Sequence, residues 1–243
     1  MQEPTKIIKS FQTSKELEDT IIALLIEEFK KPGLILLPTG NTFEERIYKE
    51  VNKYFSLQNH ELLNSQTQER QKVDSDLRIS HLDELLDASR NTFSTQLINS
   101  LPSVIEQLSE DFFAINIDEI EAYDRFIFRA GGPRLIFLGL GADPSIAHVA
   151  FIGEEYINSS TAIVTLSEAT AKMHNCTQAL TVGTDIFKSN NLERIIIVAK
   201  GNGKAQSIEA GFKDPDTGLG YLLKHHRSKI TIYADFQALS ELD

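Results

Sequence analysis

The sequence predicts an α/β fold, an open and mostly parallel sheet with helices on both faces. Short β-branched or leucine-rich runs alternate with longer segments of helical period along the whole chain, which is the pattern of strands joined by helical crossovers. The helical segments carry their own start and stop signals. The chain of 243 residues, 41% of them hydrophobic, has enough apolar material to bury a large core without disulfides. It is read as one domain over residues 1–243.

Strands are expected near Leu34–Leu37, Leu77–Leu82, Phe112–Ile117, Leu135–Leu140, Ile163–Leu166, Ile195–Ala199 and Ile230–Tyr233. Thr13 and Glu16 resemble a capping box opening the first helix. Leu17, Ile21, Leu24, Leu25 and Phe29 then recur at helical spacing until Pro32-Gly33 stops the pattern. The next helix is expected to start at Thr42 and to turn Ile47, Tyr48, Val51 and Phe55 to the sheet; Thr92–Leu101 and Gly203–Phe212 also read as helical. The polar, Gln-rich stretch Ser56–Asp76 reads as a surface excursion between a helix and a strand, and no internal repeat is present.

Composition narrows the function classes. A formal net charge of −11 argues against a general nucleic-acid binder, which needs clustered Lys and Arg to displace counterions. No apolar run approaches the ~20 residues that span a bilayer, the longest being stretches such as Ile21–Ile26. A single cysteine, Cys176, rules out an internal disulfide and a multi-thiolate zinc site. The opening MQEPTKIIKS lacks the apolar core of a signal peptide, so the cytoplasm is the expected compartment.

In open α/β sheets ligands bind beyond the carboxyl ends of the strands, and four stretches follow strands here. Leu37-Pro38-Thr39-Gly40-Asn41-Thr42 runs through a glycine turn into a helix, where free amides and the helix dipole suit a phosphate; Thr42 adds a hydroxyl or serves only as an N-cap. Ser80-His81-Leu82-Asp83-Glu84 ends a strand in two carboxylates, which fits a proton-transfer base or a helix cap. Asp118-Glu119 is a rival pair of the same kind. Gly139–His148, GLGADPSIAH, places Asp143 in a Gly-rich turn, and Lys200–Lys204, KGNGK, places Lys204 at a first helical turn, where it meets a phosphate or is simply solvated.

Taken in order, these stretches resemble the glucosamine-6-phosphate deaminase/isomerase family, a Rossmann-like group that includes the 6-phosphogluconolactonases. LLPTGNTFEERIYKEV looks like its phosphate loop, SHLDEL like its catalytic-base motif, and LIFLGLGADPSIAHVAF like its Gly-x-Asp-Gly-His region. TAIVTLSEAT, QALTVGTDIF, IIIVAKGNGKAQSI and ITIYAD resemble later segments, so the likeness spans nearly the whole chain. It implies an isomerase or deaminase acting on a hexosamine or hexose 6-phosphate. In that reading Asp83 is the base that moves a proton between C2 and C1, with Glu84 beside it, and phosphate sits on Gly40, Asn41, Thr42 and Lys204. The family order favours Asp83 over Asp118, which comes too late and opens the helix before Gly131-Gly132. No metal or redox cofactor is implied, the partner is a phosphorylated sugar, and a homo-oligomer is compatible with the reading.

The sequence departs from the family at the Asp143 turn. Pro144 stands for the family's glycine and Ser145 for its histidine, and serine has no group that titrates near neutrality. His148, with Glu154 or Glu155, would replace that histidine only through a shifted loop. Phe43 stands where the family usually has proline, and the arginine expected near EATAKMHN is absent, with Lys172 or Cys176 close to its place. Two other readings follow: a sugar-phosphate sensor that has lost ring-opening chemistry, and a 6-phosphogluconolactonase.

Overall fold

The computed structural model describes residues 7–40, 42–43, 45–61, 73–86, 92–108, 111–115, 120–152 and 157–242. Asn41, Asp118, Glu119, Glu154 and Glu155, named above, lie outside them. In chain order the elements are β1 (Ile8–Phe11), α1 (Ser14–Glu28), β2 (Gly33–Leu37), α2 (Glu45–Glu61), β3 (Leu77–His81), β4 (Asp83–Leu85), α3 (Thr92–Ser100), α4 (Pro102–Leu108) and β5 (Phe112–Phe113). There follow α5 (Ile120–Arg129), β6 (Pro133–Gly139), β7 (Thr161–Thr165), α6 (Glu168–His174), β8 (Gln178–Val182), β9 (Arg194–Ala199), α7 (Ala205–Lys213), α8 (Gly218–His226) and β10 (Ile230–Asp235).

Seven strands form one parallel sheet in the order β1-β10-β9-β6-β2-β3-β5. Strand residues alternate between its two faces. Leu34, Leu36, Ile136, Leu138, Ile195 and Ile197 pack on one side with Tyr123 and Ile127 of α5, Ile208 of α7 and Leu219 and Leu222 of α8. Ile35, Leu37, Leu135, Phe137, Ile196 and Val198 pack on the other with Leu17, Ile21 and Leu25 of α1 and Ile47, Tyr48, Val51 and Phe55 of α2. Helices on both faces bury both sets, which is why the central strands are apolar throughout.

The helix start at Thr13 forms as expected: its hydroxyl accepts the Glu16 amide at 3.2 Å, and the Glu16 carboxylate accepts from the Gln12 amide. Four expectations change. Of the expected strand Phe112–Ile117, the described residues form only Phe112–Phe113, with Ala114 and Ile115 outside it. Helix α2 starts at Glu45, three residues after Thr42, and runs to Glu61, so the first part of the polar stretch from Ser56 is the end of a helix. Ile163–Leu166 does not join the parallel sheet; β7 pairs with β8, and β8 with β4, in a separate antiparallel sheet. The expected strand to Leu82 breaks at that residue, where the chain leaves β3 and enters the small sheet.

That break matters for the site. Leu82 donates its amide to Leu37 and accepts the Val182 amide through its carbonyl, so it ties the carboxyl end of the large sheet to the small one. At the opposite end, Glu28 of α1 joins Arg134 of β6 at 2.6 Å, Lys31 at 2.8 Å and Arg194 of β9. Burial alone would raise its pKa, but hydrogen bonds from Lys31 and Arg134 and the Arg194 charge bring it down to about 2. No helix among the described residues is long and apolar enough to cross a membrane.

Candidate active site

The chain winds outward from β2 through β3 to β5, then returns to the other side of β2 at β6 and continues to β9 and β10. The segments after β2 and β6 therefore diverge at the carboxyl edge, and the crevice between them is where this architecture binds ligands. A cleft of about 200 Å³ lies there. Thr39, Gly40 and Thr42 line it from β2, Asp83 and Phe93 from the small sheet and α3, and Gly141 and His148 from the segment after β6. Met173 and His174 of α6, and Lys200 and Lys204 after β9, complete the wall.

Asp83 and Glu84 are neighbours on β4, so they face opposite ways. Asp83, only 7% exposed, reaches the cleft and accepts a hydrogen bond from the Thr39 hydroxyl at 2.5 Å. Burial raises its pKa from 3.8 to about 7; the Thr39 bond opposes this and the Glu84 charge adds to it. Glu84, expected beside it in the chemistry, is turned to α3 instead. Its carboxylate accepts from the amides of Phe93 at 3.0 Å and Ser94 at 2.8 Å, which are free donors in the first turn of that helix. Glu84 is a helix cap that fixes the strand carrying Asp83.

His81, one strand position before the break, is fully buried beneath the site. The Ile115 amide meets its Nε2 at 2.8 Å and can only donate, so the ring proton sits on Nδ1, which donates to the Asp83 carbonyl at 2.9 Å. Burial depresses its pKa and keeps the ring neutral. Tyr123 of α5 donates to the His81 carbonyl at 2.5 Å, completing the support under β4.

The expected phosphate residues are arranged unequally. Lys204 lines the cleft with no carboxylate partner among the described residues, and burial lowers its pKa. Lys200 lines it too but is joined to Glu18 of α1 at 2.9 Å. The turn carrying both lysines is held by Asp235 at the end of β10, which accepts the Gly201 amide at 3.0 Å and the Ser14 hydroxyl at 2.5 Å. Thr42 lies against Gly139, where a Cβ would stand 1.9 Å from its Oγ1. Gly40 adopts φ +66°. Its amide is not a free donor: it binds Gln96 Oε1 at 3.1 Å, and Gln96 Nε2 donates to the Gly40 carbonyl at 3.1 Å. Phe43, in the family's proline position, is buried edge-on to Tyr48 and Phe137.

Asp143 does not line the cleft. Its carboxylate accepts the Ser145 amide at 2.9 Å and the Ser145 hydroxyl at 2.6 Å, a local turn that uses up one oxygen. His148 does reach the cleft. The Gly141 amide donates to the His148 carbonyl at 2.7 Å and closes the loop back on the end of β6, and the ring lies so near Gly141 that a Cβ there would approach it within 2.4 Å. Two amides at the start of α8, Gly218 and Leu219, bind the carbonyls of Ile146 and Ala147 and fix the loop in place. His174, which sequence reasoning passed over, stands edge-on between Phe93 and Phe151 with its pKa lowered by burial. Lys172 and Cys176 do not take the arginine's place: Lys172 is exposed outside the cleft lining, and Cys176 is buried with its thiol donating to the Gln178 carbonyl.

Fold and cleft together define a doubly wound α/β protein whose switch-point crevice is lined by a buried carboxyl, two histidines and two lysines. Solved structures that share the fold include a glucosamine-6-phosphate deaminase and several 6-phosphogluconolactonases. A monomeric glucosamine-6-phosphate deaminase of the NagB superfamily superposes with a TM-score of 0.73 at 20% identity, covering 96% of this chain and 99% of its own. The 6-phosphogluconolactonase of Trypanosoma cruzi gives 0.70 at 16% identity, with 97% and 96% covered, and that of Thermotoga maritima 0.64 at 17%, with 94% and 99% covered. At these identities the likeness establishes the fold. No family model matches the sequence, and no curated protein matches it.

Proposed function

We propose that this protein is a sugar-phosphate isomerase or deaminase acting on a hexosamine or hexose 6-phosphate, with Asp83 as its proton-transfer base. The observation that carries the reading is Asp83 itself, a buried carboxyl at the switch-point cleft with a pKa of about 7 and its oxygen set by Thr39. A base whose pKa lies near the working pH combines a useful fraction of the ionised form with a useful driving force for proton abstraction. Asp83 takes the proton from one of C1 and C2 of the open-chain sugar and returns it to the other, while Lys204 and Thr42 hold the phosphate. His148 is the cleft group suited to moving the proton that opens the ring, because Ser145 has no titratable group and Asp143 is engaged with it.

That same engagement favours one other reading, a sugar-phosphate sensor in which binding persists without turnover. A panel of hexose and amino-hexose 6-phosphates, followed by thermal shift and by turnover, separates the two, because a ligand that binds only the folded state raises its stability by mass action. The enzyme reading expects both signals, and the sensor reading expects stabilisation alone. Lys204→Ala is expected to weaken phosphorylated ligands about tenfold to a hundredfold, the range of a charge-assisted contact of ~1.5–3 kcal/mol, and to leave unphosphorylated sugars unaffected. Absence of stabilisation by every phosphorylated sugar would overturn both readings.

A further inference from the structure

We infer that Gln96 is a positioning residue that brackets the two halves of the cleft, locking the Gly40 turn to α3 so that Thr39 stays on Asp83. This rests on the cleft being the site of proton transfer. Helix α3 is bound at both places that matter. At its start the amides of Phe93 and Ser94 hold Glu84, which immediately follows Asp83 on β4. One turn on, the Gln96 carboxamide both donates to and accepts from Gly40, which immediately follows Thr39 after β2. Phe93 and Gln96 are three residues apart and so share a helix face, Phe93 lining the cleft beside Gly40 and Gln96 gripping it.

The reciprocal pair is specific to an amide. A carboxylate in its place would still accept the Gly40 N–H but could not donate to the carbonyl, and a thioether of the same length cannot donate and accepts only weakly. Among the described residues the turn has few other restraints: Gly40 has no side chain and sits at positive φ, while Tyr48 holds the carbonyl of Pro38, two residues earlier, at 2.6 Å. Loss of the grip frees Thr39 to leave Asp83, and with it the hydrogen bond that favours the ionised form.

Around Asp83 stand Thr39 after β2, which binds it, the charge of Glu84 on the opposite face of β4, His81 on β3, Tyr48 on α2 and Tyr123 on α5, while His148 after β6, His174 on α6, and Lys200 and Lys204 after β9 share its cleft. Gln96 is itself exposed and uncharged, so of these groups its replacement by methionine acts on Thr39, through the Gly40 turn.

The test is the ionisation of Asp83 in the free protein, followed through its carboxyl carbon by NMR, in wild type, Gln96→Met, Gln96→Glu and Thr39→Val. Gln96→Met is expected to raise the midpoint by roughly half a pH unit, in the direction of Thr39→Val, and Gln96→Glu to raise it as well, through the lost donor and the added negative charge. The kcat of proton transfer falls about threefold to tenfold in Gln96→Met, with the pH profile displaced the same way. An Asp83 midpoint that moves in Thr39→Val but stays fixed in Gln96→Met overturns the inference even if stability drops. Because this readout needs no substrate, a wild-type protein without turnover defeats the proposed function and leaves the bracket to be judged on the titration alone.

Discussion

Replacing Asp83 by asparagine is expected to stabilise the fold while removing its chemistry, and the stabilisation carries a pH signature. The folded-state pKa is about 7 against a reference of 3.8. Between those values the folded protein holds a proton that the unfolded chain gives up, so stability falls as pH rises through the window and levels off above about 7. The slope is roughly 1.4 kcal/mol per pH unit, and the full span corresponds to roughly 4 kcal/mol as an upper bound. Relaxation around the charge and the unmatched amide of asparagine reduce the observable gain to about 1–3 kcal/mol at pH 8. Thr39 can still donate to the asparagine oxygen. Urea unfolding at pH 4.5, 6 and 8 measures the effect, with the difference between variant and wild type expected to be smallest at the lowest pH and to grow to the highest. A difference independent of pH, or a variant less stable at pH 8, would mean that Asp83 is ionised and well paired in the native state, and the reasoning from burial would fail.

Two further substitutions probe the frame around the site. Glu28→Gln leaves Arg134 and Arg194 without their shared carboxylate and should cost about 2–4 kcal/mol in urea unfolding at pH 7, less than a fully buried pair because Arg194 and Lys31 are partly exposed. Since its pKa is depressed to about 2, the wild-type advantage should persist above pH 4.5 and vanish as pH falls towards 2; an advantage that persists at pH 2 would contradict the assigned charge. Gly139→Ala drives a methyl into Thr42 and should weaken sugar-phosphate binding severalfold, whereas Gly203→Ala, with nothing within 4 Å, should be silent in both calorimetric titration and thermal unfolding. Equal effects of the two would remove Thr42 from the site.

What the sequence made legible was the part governed by local pattern. The central strands β2, β6 and β9 are buried on both faces, so their apolar runs mark them directly, and the turns after β2, β3 and β9 pointed to Thr42, Asp83 and Lys204. The small sheet was obscure because its strands are short and find partners far along the chain, Asp83 opposite Thr181 and Leu85 opposite Ala179. The split between Asp83 and Glu84 was obscure for a related reason: two adjacent acids look equivalent in sequence, and only the strand's alternation separates the one in the cleft from the one on a helix start. Asp235 meets Ser14 across 221 positions, and Gln96 meets Gly40 across 56, so neither contact leaves a local trace. His174 had a faint signal in its position beside the missing arginine, but nothing in its neighbours distinguished it from a surface histidine.

The most direct measurement is exchange of the C2 proton of a hexose or amino-hexose 6-phosphate in deuterated water, followed by NMR for wild type, Asp83→Asn and Lys204→Ala. Wild type is expected to exchange that proton at a rate rising with pH through about 7, and Asp83→Asn to lose it by a factor of ~10²–10⁴ while binding survives within a few fold. Lys204→Ala should recover much of its loss at saturating ligand. Exchange that persists in Asp83→Asn would show that another group is the base, and the absence of exchange in wild type with every sugar phosphate that binds would make this cleft a binding site without proton-transfer chemistry.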